Sequence, residues 1–441
     1  MAFATAFSDN PALCAPETRA VFASCAKQWL DEEFKDPAMS LVRALALLAE
    51  YHCGVGEMNT GYMYMGMSFR AVQILATKSD TEPDQGLNPF PVSITTDWLF
   101  WSAYCYDKLM ALEFDRAYDL PVSHPATPPP STDHGIDSQP WLTEPYSTPP
   151  TTAAAPPNLI TETFHQTSKL MLIGTEIIEL TCHLQEDTAL EEHTVINIHL
   201  QLDTWFNALP EPLLVWARSS APLPHIISLH IVYWRFILLL HQTQYPKAPV
   251  NTGYPPQDPT QAQKMPIADL SIKMCDRAVH KIVQLVKMFD DRHGLKFFPR
   301  SLVETVFACG VGLLREYTAS PYGANKKRGT ALDGVTACIG SLRTISGTWP
   351  CATPRADELQ TMLQVVQPPQ SVAQVDGPST MFPEVDLDLD DASHAFYQFM
   401  RERRGAVSSG GGGGGQESES EWSELYGEPV GRDVGMGEAQ G

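Results

Sequence analysis

Trp98-Leu-Phe-Trp-Ser-Ala-Tyr-Cys-Tyr-Asp-Lys-Leu-Met-Ala-Leu-Glu-Phe-Asp-Arg-Ala-Tyr-Asp-Leu-Pro121 decides the fold of this chain. Trp98, Trp101, Cys105, Leu109 and Leu112 recur at steps of three and four, which marks one buried stripe of a helix. Phe100, Tyr104, Ala111 and Phe114 form a second stripe. A helix apolar on two faces belongs inside a bundle. Thr95, Thr96 or Asp97 predicts its start, since each can cap the first free amides. Asp107 sits among aromatic and aliphatic neighbours, and a buried carboxylate without a cation costs several kcal/mol. Arg116 and Arg70 are the candidate partners. A structural ion pair is the reading here, because no second carboxylate or nucleophile is tied to Asp107 by spacing.

Helical periodicity continues on both sides, with no alternating strand series. Thr18 to Phe34, Met39 to Cys53 and Asn59 to Thr77 read as helices, the last loosened by Gly61 and Gly66. Leu159 to Leu184, Glu191 to Ala208, Leu223 to Gln242, Ala268 to Phe289, Ser301 to Tyr317 and Gly329 to Ile345 follow. The fold class is all-α, one large irregular domain over 1–367. Residues 121–158 are rich in Pro, Thr and Ser and read as a long loop insertion, not as packed helix. Residues 368–441 change character: Gly410 to Gly415 is an unbroken glycine run, and Met381 to Asp391 alternates acidic with apolar residues. This tail reads as disordered, and either as an activation segment or as a solubilising tail. Carboxylates would keep Phe382, Leu387, Leu389, Phe396, Phe399 and Trp422 solvated and available to a partner groove.

The formal net charge of -22 opposes autonomous binding to a phosphate backbone. Two short basic runs, Lys326-Lys-Arg328 and Arg401-Glu-Arg-Arg404, read as solvated faces. Nine scattered cysteines without a Cys-x-x-Cys pair argue against a disulfide framework and against tetrahedral zinc. Ile226 to Leu240 is apolar, but His230 and Arg235 interrupt it and it is short for a bilayer span. His-Glu-x-x-His is absent, so the histidines at 193, 199, 225, 230 and 241 read as core or surface groups. Glu32 and Asp36 share a helical spacing that could hold magnesium. No second metal motif accompanies them, and a charged helix end is the reading. The chain has no Walker loop, no Gly-x-Ser-x-Gly elbow and no dinucleotide fingerprint.

Taken in order, several stretches resemble the fungal-specific transcription factor domain, the middle homology region of fungal regulators that carry a binuclear zinc cluster. Phe100-Trp101, Asp107-Lys108, Arg116 and Pro121 fit its signature helix, with Asp115 and Ala117 where the family has Gly and Pro. Ala44 to His52 with Gly61 to Leu75 resembles the helix pair before that signature. Leu229 to His241 resembles its later apolar helix, with Gln242-Thr243 in place of Arg-Pro, and Thr348-Trp-Pro350 resembles a step near its end.

The resemblance implies a regulatory region that modulates RNA polymerase II transcription in the nucleus, through coactivator or corepressor proteins or a small-molecule effector. It implies no enzyme, no membrane and no cofactor in this chain. DNA and zinc would be contacted only through a zinc-cluster module that this sequence lacks. A start at an internal Met of a longer reading frame is the reading adopted for that lack, with a diverged regulator as the alternative. The rival functions are an all-α enzyme with an aromatic pocket and a stand-alone protein-interaction module.

Overall fold

The apolar periodicity becomes helices in the computed structural model, which describes residues 1–79, 92–120, 128–141, 155–182, 190–215, 222–244, 266–321 and 323–367. The order is α1 (Pro11–Cys14), α2 (Pro16–Lys27), α3 (Leu30–Glu33), α4 (Met39–Gly54), α5 (Met58–Ser79), α6 (Val92–Phe114) and α7 (His134–Asp137). Then come α8 (Ile160–Cys182), α9 (Glu192–Asn207), α10 (Pro224–His241), α11 (Pro266–His293), α12 (Val303–Ala319), α13 (Asn325–Ser346) and α14 (Ala352–Val366). The described residues contain no strand, only an isolated bridge between Pro140 and Pro157. The all-α class holds.

The central helix is α10. Every residue from Leu229 to His241 on it is buried. With the following turn it reaches Gln244, 21 residues, and by length and composition alone it could cross a bilayer. That corrects the sequence reading of the run as too short. Here 83% of its apolar window is buried inside the fold, packed by α8, α9 and α11, so its apolarity serves a protein core. Gly174 of α8 makes that packing possible: a Cβ there would fall inside the Phe236 ring.

Three expectations need correction. The helix expected over Thr18 to Phe34 breaks at Gln28–Trp29, where the Trp29 amide donates to Ala26 and Leu30 turns inward. Gly61 does not loosen α5. A Cβ at Gly61 would collide with the Cys53 thiol, so the glycine lets α4 and α5 close into a tight hairpin. The signature helix starts at Val92, a turn before the expected caps. No Pro or Gly stands between Val92 and Trp98, so nothing there breaks a helix.

The Pro-rich insertion is partly structured. The Asp133 side chain caps α7 by accepting from Gly135 N (2.8 Å) and Ile136 N (3.1 Å). Asp137, at the end of α7, accepts from Thr161 N (2.7 Å), Thr161 Oγ1 (2.7 Å) and Glu162 N (3.0 Å). These are free amides of the first turn of α8, so a carboxylate from the insertion caps a helix outside it. Residues 121–127 and 142–154 lie outside the described residues.

Candidate functional site

Helix α6 lies against α5 and α8 and carries the signature residues. Trp101 is buried, and its Nε1 donates to the Pro128 carbonyl at 2.9 Å. Phe100 is half-buried and meets the Trp101 ring edge-on at 5.8 Å. Asp107 is 2% exposed and Lys108 is 0% exposed. The partner of Asp107 is therefore its sequence neighbour, with Lys108 Nζ at 2.8 Å, and not Arg116 or Arg70.

The pair fastens the chain that leaves α6. Asp107 accepts from the amides of Asp119 (2.9 Å) and Leu120 (2.8 Å), while Lys108 Nζ donates to the Leu120 carbonyl at 2.5 Å. The ammonium also lies 4.2 Å from the Tyr104 ring centre and 4.0 Å from that of Tyr118. Burial pushes the Lys108 ammonium below its ordinary value, and Asp107 opposes this. With every polar atom of the pair directed at backbone or ring, the pair holds shape and leaves no group for a substrate.

Between α6 and this lock the chain reverses at Asp115, with φ of 51°. Asp115 thus adopts the left-handed conformation that favours glycine, and the turn forms with the side chain in place. Asp115→Gly should raise stability by roughly 0.5–1 kcal/mol, and Asp115→Val should lower it by roughly 1–2 kcal/mol. Urea unfolding of the two variants would check this, and equal midpoints would show that the turn carries no strain. The next residue, Arg116, is exposed and lies over the Tyr62 ring at 4.9 Å, bracing the turn against α5.

A second polar centre escaped the sequence reading. The Arg300 side chain is fully buried between α4, α6 and the turn before α12. It pairs with Glu50 (Nη2 to Oε1, 2.6 Å) and with Glu113, and it donates to Tyr106 Oη at 3.0 Å. Burial lifts the Glu50 carboxyl above its ordinary value, against the pull of Arg300. The two carboxylates hold the guanidinium well above its usual value despite its burial.

The histidines are placed by packing. His241 Nε2 meets His199 Nδ1 at 3.0 Å, and His241 Nδ1 meets Ser271 Oγ at 2.9 Å. Burial, helped by His199, pushes His241 down to about 3, so its ring is neutral. Ser271 is 0% exposed and closed to any substrate. His230 bonds the Leu213 carbonyl at 2.8 Å, His193 is exposed, and His225 lies 5.2 Å from the Trp141 ring. Among the described residues no group of His, Cys, Asp or Glu could hold a metal ion. Glu32 pairs instead with Lys35 at 2.5 Å.

Lys326-Lys-Arg328 is not merely a solvated face. Lys327 Nζ lies 2.7 Å from Asp276 and 3.6 Å from Glu316, and Arg328 donates to the Tyr317 carbonyl at 3.0 Å. Beside them an open cleft of ≈ 550 Å³ is lined by His280, Glu316, Asn325 and Lys326 among others. Burial opposes but does not overcome the Glu316 hydrogen bond, which raises His280. The activation contacts expected at Phe382, Leu387, Leu389, Phe396, Phe399 and Trp422 lie outside the described residues, as does the whole tail.

Residues 1–207 match the sequence profile of the fungal specific transcription factor domain. The chain is also similar to the nitrogen assimilation transcription factor nit-4 of Neurospora crassa, 22% identical over 339 residues, which is 73% of this chain and 27% of that protein. It is similar to the nitrogen assimilation transcription factor nirA of Emericella nidulans, 22% identical over 272 residues, 60% of this chain and 29% of that protein. The chain thus spans less than a third of the length of these relatives. No solved structure matches it.

Proposed function

We propose that this chain, a member of the fungal-specific transcription factor domain family, is the regulatory region of a nuclear transcription regulator. The observation that supports this is the family match over 1–207, a stretch that holds α1 to α9 and the Asp107–Lys108 lock. Residues 1–367 serve as the regulatory domain, and the acidic tail supplies contacts to coactivator proteins through Phe382, Leu387, Leu389, Phe396, Phe399 and Trp422. A corepressor or a small-molecule effector acts on the helical part. DNA is contacted through a zinc-cluster module and not through these residues, whose overall charge is -22.

Fused to an unrelated DNA-binding domain, residues 378–426 should activate a reporter. Replacing Phe382, Phe396, Phe399 and Trp422 together by Ala should abolish that output while the acidic charge stays unchanged. Each contact is weakened by the cost of ordering the segment, so several aromatics must act together. Equal output from the parent and the substituted tail would show that the aromatics carry nothing. Zinc content is a separate expectation. Elemental analysis of the purified chain should find no stoichiometric zinc, and finding it would overturn the placement of zinc in another module.

A further inference from the structure

Helix α11 carries a row of cations in an acidic protein. Lys273, Arg277, Lys281 and Lys287 are exposed and stand within about a third of the helix circumference, at roughly 100° per residue. None has an ion pair among the described residues; Arg277 lies over the Trp234 ring at 5.5 Å. Asp276, the carboxylate beside the row, is taken by Lys327 at 2.7 Å. Along α11 itself, Asp269 lies before the row, and Asp290 and Asp291 follow it; from α9, Asp203 acts on the same His199 and Tyr233 groups as Arg277 does.

The chain leaves the described structure at Gln367, near the end of α12, whose Glu316 is linked through Lys327 to Asp276 of α11. Gln367, just past α14, donates to Tyr317 Oη at 3.2 Å. Tyr317 follows Glu316, which contacts Lys327, and Lys327 reaches Asp276 on α11. From Gln367 to Met381 an extended chain can run about 46–50 Å, and the cationic row is only about 21 Å long. The segment that follows has carboxylates at Glu384, Asp386, Asp388 and Asp390, on alternate residues. In an extended strand those carboxylates recur every 6.6 Å or so. Lysines and arginines four apart on a helix recur about every 6 Å.

We propose that the α11 face bearing Lys273, Arg277, Lys281 and Lys287 is a docking surface for the acidic segment Glu384–Asp391 of the same chain. The repeat matches over Lys273, Arg277 and Lys281, with Lys287 about 9 Å beyond, and charge and tether length match the whole row. The docked segment is held against its own domain by salt-sensitive pairs, a restraint that a competing polyanion or basic partner could release. The assignment goes beyond the regulatory reading and does not depend on whether the segment activates transcription.

Zero-length carbodiimide cross-linking of the full chain tests it, since the reagent joins only an ammonium and a carboxylate already in contact. Peptide mapping should find Glu384–Asp391 joined to Lys273, Lys281 or Lys287, about tenfold above joins to the exposed Lys35, with loss near 1 M salt, where the screening length is about 3 Å. The variant Arg277→Glu, which keeps all three reacting ammonium groups, should cut the joins several-fold without loss of thermal stability. If that variant fails to fold, the salt dependence of the unaltered chain decides. The assignment is overturned by absence of these joins at low salt, by their persistence at 1 M salt or at parental yield in folded Arg277→Glu, or by joins found only between isotope-labelled and unlabelled copies. Binding of duplex DNA by this face in place of the joins would also overturn it.

Discussion

Asp107→Ala should lower the unfolding free energy by about 3–5 kcal/mol, because it leaves a fully buried ammonium without its counter-charge. The variant also strips the acceptor from the amides of Asp119 and Leu120. Lys108→Met should cost less. The Asp107 carboxylate would keep those two amides, and backbone N–H donors stabilise an anion. The methionine would refill most of the space between the Tyr104 and Tyr118 rings. The ordering of the two variants is the diagnostic, read from urea midpoints at fixed m-value. An Asp107→Ala variant as stable as the parent would mean that the pair is solvated and the lock does not exist.

Sequence alone showed that Asp107 is buried, because its helix is apolar on both sides. It did not show the partner. Adjacent residues on a helix point about 100° apart, so helical spacing alone does not bring Lys108 to face Asp107. Its long stem lies along the tyrosine rings and brings the ammonium back to the Leu120 carbonyl. The sequence reading stopped its helices at Ile345 and did not include α14. Pro354 falls in the first turn of α14, where an amide has no intrahelical acceptor to lose. Arg300 left no pattern at all. It stands on a three-residue turn and meets Glu50 from 250 positions away, and only the assembled fold brings them together. The cationic row on α11 was present in the sequence as lysines and an arginine at helical spacing. The net charge of the whole chain concealed it.

Arg300→Met should be as severe as Asp107→Ala, about 3–5 kcal/mol at neutral pH, because two buried carboxylates would then face each other without the cation. Glu50 and Glu113 have side chains only 14% and 7% exposed, so water screens them little. Glu113 already leaves one oxygen without a hydrogen-bond partner. The pH dependence separates this cause from simple loss of packing. In the parent, burial raises the Glu50 carboxyl and Arg300 pulls it down. In the variant that pull is gone, while burial and the charge of Glu113 still push upward. A carboxyl raised in the folded state binds its proton more tightly there than in the unfolded chain. Its stabilising contribution is present at low pH and is lost as pH rises through the folded value. The deficit of Arg300→Met against the parent should therefore shrink from about pH 8 to about pH 5. Arg300→Met/Glu50→Gln/Glu113→Gln, which removes both charges, should recover part of the loss at pH 8 and show little of that dependence. A deficit of the same size at both pH values would assign the loss to packing and remove the ion cluster as its cause.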